Sequence, residues 1–207
     1  MSDNKKLIVF DFDGTIANSL PVIYEAGGEV IESYTGKRIA PREIERLKEN
    51  GIKSSLKKLD VPFYKFPIML LKIQVEIYKR IDEVNLFPKI EKTAYDLNKK
   101  YKLGIFTNNR KKTVDKFLKK NKLDIFEFVK DNPFLRDKSK KLSRMPDNAL
   151  AYVGDQAEDI EAAKKANLLA VGVSWGLDSK GRLKRSGADF IAEEPEELVE
   201  FFRKNNN

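Results

Sequence analysis

The 207 residues include no cysteine and no histidine. The first absence removes disulfides and thiolate metal sites. The second removes imidazole ligands, histidine triads and histidine acid–base catalysis. Proton transfer is left to carboxylates, lysines and tyrosines. Long apolar runs are missing too. Met1 to Lys6 is polar, and Leu7 to Phe10 behind it is too short for a signal-peptide core or a membrane span. The apolar-rich stretch from Phe66 to Ile81 is interrupted by Lys72, Gln74, Glu76 and Lys79. A cytoplasmic protein without membrane contact is expected.

What is present describes a globular chain: 41% hydrophobic and 10% aromatic residues. The length suits one domain, or one domain carrying a sizeable insertion. The formal charge of +8 raises the question of nucleic acid. The lysines, however, are spread along the chain with glutamates between them, and no basic block is interleaved with aromatics as a single-strand groove requires. A lysine-rich surface is the plainer reading, and its field suits a small anionic molecule.

Short apolar runs at Leu7-Phe10, Leu103-Phe106, Ala149-Val153, Leu168-Ser174 and Asp189-Ala192 read as buried strands. Between them, Lys89-Lys100, Lys111-Lys120, Ala157-Ala166 and Pro195-Phe202 carry helical periodicity. Alternation of this kind predicts a Rossmann-like α/β core, a parallel sheet with helices on both faces. From Ser19 to Phe87 the rhythm breaks. Ile23-Ser33, Pro41-Asn50, Ser54-Leu59 and Pro67-Ile81 read as helices and no strand is evident. The predicted organisation is a core of residues 1–18 and 87–207, with an all-helical cap, 19–86, inserted after the first strand. The crossings fall near Ala17-Leu20 and Leu86-Pro88.

Three strand-like runs end in reactive polar residues: Asp11 and Asp13, then Thr107 and Asn108, then Gly154-Asp155 followed by Asp159. Parallel strands put these ends on one carboxyl edge, where open α/β sheets bind ligands. Singly, each has a structural reading. Asp13-Gly14-Thr15 can be a capped turn, Asn108-Asn109 a plain turn, and Asp159 the cap of a helix near Ile160. Asp11 and Asp13, one residue apart, repel unless a cation or a shared proton relieves them. Three caps on three separate strand ends are a poorer account than one site.

In these residues the chain resembles the haloacid dehalogenase superfamily. Asp11-Phe12-Asp13-Gly14-Thr15 is similar to its nucleophile motif, Thr107-Asn108 to the second, and Gly154-Asp155-Gln156-Ala157-Glu158-Asp159 to the acidic fourth. The third is a lysine ahead of the fourth. Lys138 opening a helix is the best match, with Lys140 and Lys141 competing. Val173-Ser174-Trp175-Gly176, Ala188-Asp189-Phe190-Ile191 and the helical insertion resemble phosphoglycolate-phosphatase-like members.

The resemblance implies a Mg2+-dependent phosphatase acting on a small phosphorylated metabolite, as a monomer or homodimer. It implies Asp11 as nucleophile and Asp13 as general acid and base. Thr107, with Asn108 and nearby amides, would hold the phosphoryl oxygens, and a motif lysine would add positive charge. Metal ligands would be the Asp11 and Asp155 carboxylates and the Asp13 carbonyl, with Asp159 acting through water or as an orienter. Gly14 would leave room for the phosphate. Lys53, in the turn Asn50-Gly51-Ile52-Lys53-Ser54-Ser55, would reach an anionic substrate group from the cap. Dehalogenases of the superfamily lack an acid where Asp13 stands, which argues against carbon–halogen cleavage. The alternatives are a phosphosugar mutase, suggested by Glu45-Arg46-Leu47-Lys48, and a non-catalytic phosphate-binding protein.

Overall fold

A computed structural model describes residues 5–39, 63–132 and 137–204. At its centre is a six-stranded sheet, parallel at every pairing. Its strands are β1 (Leu7–Phe10), β4 (Lys102–Thr107), β5 (Phe126–Asp131), β6 (Ala149–Gly154), β7 (Leu169–Val173) and β8 (Phe190–Ala192), in the order β5-β4-β1-β6-β7-β8. From β1 the chain winds outward through β4 to β5, then returns to the other side of β1 for β6, β7 and β8. The order therefore reverses beside β1, which makes its carboxyl end the crevice that this class of sheet offers to ligands.

Side-chain alternation explains why both faces are covered. Ile8, Phe10, Leu103, Ile105, Ala151, Val153, Val171 and Val173 join one buried cluster, under α3 (Ile90–Asn98), α4 (Lys111–Lys120) and α8 (Pro195–Lys204). Leu7, Val9, Phe106, Tyr152 and Ala170 join the other, under α5 (Lys138–Leu142), α6 (Ala157–Lys165) and α7 (Lys180–Arg185). Each central strand is apolar on both sides, as a doubly covered parallel sheet demands. Helix α4 shows the logic locally. Thr113, Val114, Phe117 and Leu118 form its buried stripe, while its lysines stay in water.

Beyond the sheet lie α1 (Leu20–Thr35) and α2 (Phe66–Lys79), which pack on each other. Val30, Ile31 and Met69 form a small apolar cluster of their own. Pro21 sits in the first turn of α1, and Gly36, with φ 67°, ends it by donating its N–H to Glu32 O. The chain leaves the sheet through β2 (Ala17–Asn18) and returns through β3 (Asn85–Leu86), which pair antiparallel. So the stretch expected to hold no strand has one of two residues, too short for any periodicity to reveal. The segments Pro41-Asn50 and Ser54-Leu59, with Lys53 and Glu45-Arg46-Leu47-Lys48, lie outside the described residues. Among the described residues, no helix is long and apolar enough to cross a membrane.

Candidate active site

Asp11 continues β1, and its N–H still donates to Val153 O at 2.7 Å, so the sheet fixes its backbone. The chain then turns back. The N–H groups of Ile16 and Ala17 converge on Phe12 O, each at 3.0 Å. Phe12 is fully buried, edge-on to Phe117 at 5.0 Å between ring centres. The aromatic residue between the two aspartates thus anchors the turn in the core while both carboxylates stay at the edge. Gly14 has φ +75°, and a Cβ there would collide with the Asp155 carboxylate. The space that glycine leaves is taken by that metal-ligand candidate from β6.

Asp11, Asp155 and Asp159 each present an oxygen within 4.8 Å of the others, all buried. Lys138, the first residue of α5, inserts its ammonium among them, 2.6 Å from Asp159 Oδ1 and 3.4 Å from Asp11 Oδ1. The Tyr152 ring lies 5.0 Å from the same nitrogen, and the Tyr152 hydroxyl donates to Phe106 O at 2.6 Å. Lys141 turns instead to Asp131 O. Of the three competing lysines, Lys138 is the one the fold brings to the aspartates. Asp159 also accepts the Gln156 N–H in a capping box at the start of α6, so it is helix cap and lysine partner at once.

Asp13 faces the same edge from the other side. Ser19 Oγ donates to its Oδ1 at 2.7 Å, and Asn109 Nδ2 donates to its Oδ2 at 3.1 Å. Thr107 Oγ1 accepts the Asn109 N–H at 3.1 Å, which leaves the hydroxyl proton available to a ligand. Asn108 points its side-chain oxygen to Asn132 Nδ2 at 3.1 Å, tying together the ends of β4 and β5. It is Asn109, readable only as part of a turn, whose side chain reaches Asp13.

Two further features take part in the site through packing that residue order does not show. The first is the turn after β7, where the run Val173-Ser174-Trp175-Gly176 leaves the strand at Val173. There Leu177 N–H donates to Asp155 Oδ2 at 2.7 Å, Asp178 N–H donates to Asp155 O, and Trp175 Nε1 donates to Thr15 O. Gly176 is obligatory because a Cβ would strike Asp155 and Gly14. Backbone amides do this work, and a sequence motif records side chains. The second is Tyr24 on α1, whose buried hydroxyl has no hydrogen-bond partner. Burial, with Asp155 and Asp178 nearby, pushes its ionisation up to about 12, so it stays a neutral donor.

The electrostatics are those of a site short of positive charge. Burial pushes Asp11 up to about 7; Lys138 opposes this, while Asp159 and Asp13 add to it. Asp155 stands well above the carboxylate range through burial, Asp159 and Asp11. Asp13 is raised by burial, against the hydrogen bonds from Ser19 and Asn109. Burial would discharge Lys138, but Asp11 and Asp159 outweigh it and hold the ammonium charged. Asp11 Oδ1 and Asp155 Oδ1 are buried and accept no hydrogen bond. Two such oxygens, on carboxylates that burial alone would neutralise, fit a hard divalent cation.

A pH-dependent stability follows. A carboxyl raised on folding holds its proton more tightly in the folded chain. Its stabilisation is therefore full below its ordinary value of 3.8 and lost as pH rises through about 7. The chain has no histidine to titrate in that window, and Asp155 and Asp13, also raised by burial, act in the same direction. The melting temperature of metal-free protein is expected to fall from pH 5 to 8. Saturating Mg2+ should raise it by about 5–10 °C at pH 8 and hardly at pH 5. A flat profile with no metal response would contradict this account of the cluster.

The chain is similar to known proteins in sequence and in fold. A family profile described as haloacid dehalogenase-like hydrolase matches residues 8–173. A phosphoglycolate phosphatase of Synechococcus elongatus is 25% identical over 201 residues, covering 93% of this chain and 95% of that protein. The pyrophosphatase PpaX of Bacillus cereus is 26% identical over 205 residues, covering 93% and 94%. Among solved structures, a haloacid dehalogenase-like family hydrolase from Streptococcus pneumoniae superposes with a TM-score of 0.77 at 20% identity, over 96% of this chain and 99% of that one. A hydrolase from Pseudomonas syringae gives 0.74 at 23% identity, over 97% and 99%.

Proposed function

Because this chain belongs to the haloacid dehalogenase-like hydrolase family, we propose that it is a Mg2+-dependent phosphatase that cleaves small phosphate esters through an aspartyl phosphate on Asp11. The observation that carries the reading is the convergence of Asp11, Asp13, Thr107, Lys138 and Asp155 on one sheet edge from four separate segments. The curated relatives, named for phosphoglycolate and pyrophosphate chemistry, point to small phosphorylated substrates.

Asp11 attacks phosphorus through a carboxylate oxygen as the bond to the leaving alkoxide breaks. Asp13 gives that alkoxide its proton. It later takes a proton from the water that attacks the aspartyl phosphate, which releases inorganic phosphate and restores Asp11. Its raised affinity for a proton suits both steps, and Ser19 and Asn109 fix its direction. Lys138 and the Thr107 hydroxyl face the charge that spreads over the phosphoryl oxygens. The Asp11 and Asp155 carboxylates and the Asp13 carbonyl would hold Mg2+, with Asp159 orienting Lys138 behind them. When bound, the ion supplies positive charge that screens the incoming phosphate. Helices α1 and α2 form the described part of a cap, residues 19–86, that shields the site and selects substrate. The proposed role of Lys53 falls in the same insertion, outside the described residues.

The test is phosphate release from glycolate, sugar, nucleotide and pyrophosphate esters, with Mg2+ and with chelator. Release independent of metal, or none from any ester, contradicts the proposal. The acid role of Asp13 has its own test. Asp13→Asn should lower kcat for an alkyl phosphate about 100–10,000-fold. The loss for p-nitrophenyl phosphate, whose leaving group needs no proton, should be at least about tenfold smaller. An equal loss for both would exclude proton donation.

A further inference from the structure

The seam between the sheet edge and α2 holds a cation that the mechanism above does not use. Arg110 lies between Asn109 and the first turn of α4. Its N–H donates to Asn109 Oδ1 at 2.8 Å, and Asn109 is the residue whose amide grips Asp13. The Arg110 position is therefore set by the same side chain that orients the proposed acid. Across the seam, Arg110 Nε donates to Gln74 Oε1 of α2 at 3.3 Å, and Gln74 Nε2 donates to Asn108 O at 3.4 Å.

Among the described residues, no carboxylate lies within ion-pair distance of Arg110. The other half-buried arginines among the described residues are paired, Arg80 with Glu25 and Glu83 and Arg182 with Asp178. Arg110 is half-buried, and its hydrogen bond to a neutral amide compensates a guanidinium poorly compared with an anion. Its side of the cleft also differs from that of Lys138. Lys138 sits under Asp11 and Asp159, where the transferred phosphate would lie, whereas Arg110 adjoins the residue holding Asp13, where the leaving group would depart.

We propose that Arg110 is a specificity-determining residue, binding a second anionic group, carboxylate or phosphate, on the leaving-group side of the substrate while Gln74 of α2 holds the guanidinium in place. This rests on the phosphatase reading and narrows its substrate class to esters or anhydrides with a further negative charge near the scissile bond. A planar, permanently charged fork suits either anion, and a lysine point charge would replace it only in part. Because Gln74 belongs to α2, the same contact couples recognition of that group to the docking of α2 on the sheet edge.

The experiment compares wild type, Arg110→Gln and Arg110→Lys on 2-phosphoglycolate, pyrophosphate and ethyl phosphate. The quantity read is kcat/KM for each of the first two relative to ethyl phosphate. Arg110→Gln should lower that ratio about 10–100-fold, mostly through KM, as loss of a charge-assisted pair implies. Arg110→Lys should recover part of it. The carboxylate and phosphate arms show which anion the site prefers. A second measurement covers a poorly folding variant. With p-nitrophenyl phosphate as substrate, the preference for phosphonoacetate over methylphosphonate as inhibitor should shrink in Arg110→Gln relative to wild type, and less in Arg110→Lys. Ratios within threefold of wild type in both assays overturn the proposal, as does a wild type that does not favour the doubly anionic compounds. A wild type that hydrolyses none of the esters with Mg2+ overturns the phosphatase reading itself, so the two failures are separable.

Discussion

Asp11→Asn is expected to abolish turnover, lowering kcat for p-nitrophenyl phosphate at least about 10,000-fold, while the protein stays folded. The argument has two halves. An amide keeps the size of the carboxylate but cannot attack phosphorus, so the covalent step has no nucleophile. It also removes one charge from a buried cluster where burial, Asp159 and Asp13 all push Asp11 towards its neutral form. The variant should therefore melt at or above the wild-type temperature at pH 8 without metal, with a smaller gain on adding Mg2+. This pairing separates loss of chemistry from loss of fold. Activity within tenfold of wild type would remove Asp11 as nucleophile. Collapse of both activity and melting temperature would instead show the carboxylate to be structural.

Much of this site can be read from residue order alone, for a physical reason. Strands at the centre of a parallel sheet are apolar on both faces, so Leu7-Phe10, Leu103-Phe106 and Ala149-Val153 stand out as short continuous runs. The first polar residue after each run is then marked as lying at the sheet edge. At the β5 margin of the sheet the same reasoning loses its signal. β5, Phe126–Asp131, pairs with β4 alone and carries Glu127 and Lys130 on its exposed positions, so no apolar run marks it. α7, Lys180–Arg185, offers only Leu183 to the core, so no apolar stripe marks it as a helix.

The residues that escape the sequence are those whose role depends on how separate elements pack. Tyr24, Gln74 and Arg110 lie on α1, on α2 and just before α4, and helical periodicity says nothing about which of them face the sheet edge. The amides of Leu177 and Asp178 act through the backbone and leave no residue-type signature. Lys138 shows the limit most clearly. Helix α5 is five residues long, and Lys138, Lys140 and Lys141 all lie on it. With hardly more than one turn there is no stripe to distinguish them. The selection comes from the cap: Asp137 accepts the Ser139 N–H and starts the helix so that Lys138 enters between Asp11 and Asp159.

That geometry gives the second large effect. Lys138→Met keeps much of the side-chain volume between the Tyr152 and Phe106 rings but leaves Asp159 and Asp11 without their buried cation. Breaking a buried pair from one side costs about 3–5 kcal/mol, or roughly 10 °C in melting temperature for a chain of this size. The rate should fall about 100–1,000-fold as well, through loss of a charge facing the transition state. The two losses have different causes, and a double variant can separate them. Adding Asp159→Asn removes a carboxylate whose charge Lys138 had balanced, and the asparagine oxygen can still accept the Gln156 N–H of the capping box. Lys138→Met with Asp159→Asn should therefore regain at least half of the lost melting temperature, and the coupling in a double-mutant cycle should be favourable. Activity should not return, because neither replacement supplies a cation to the phosphoryl group. If the double variant recovers rate together with stability, Lys138 is a structural counter-ion for Asp159 and not a group that faces the phosphate. If it recovers neither, the pair with Asp159 is not what holds Lys138 in the cluster, and the balance of charge rests on Asp11 instead.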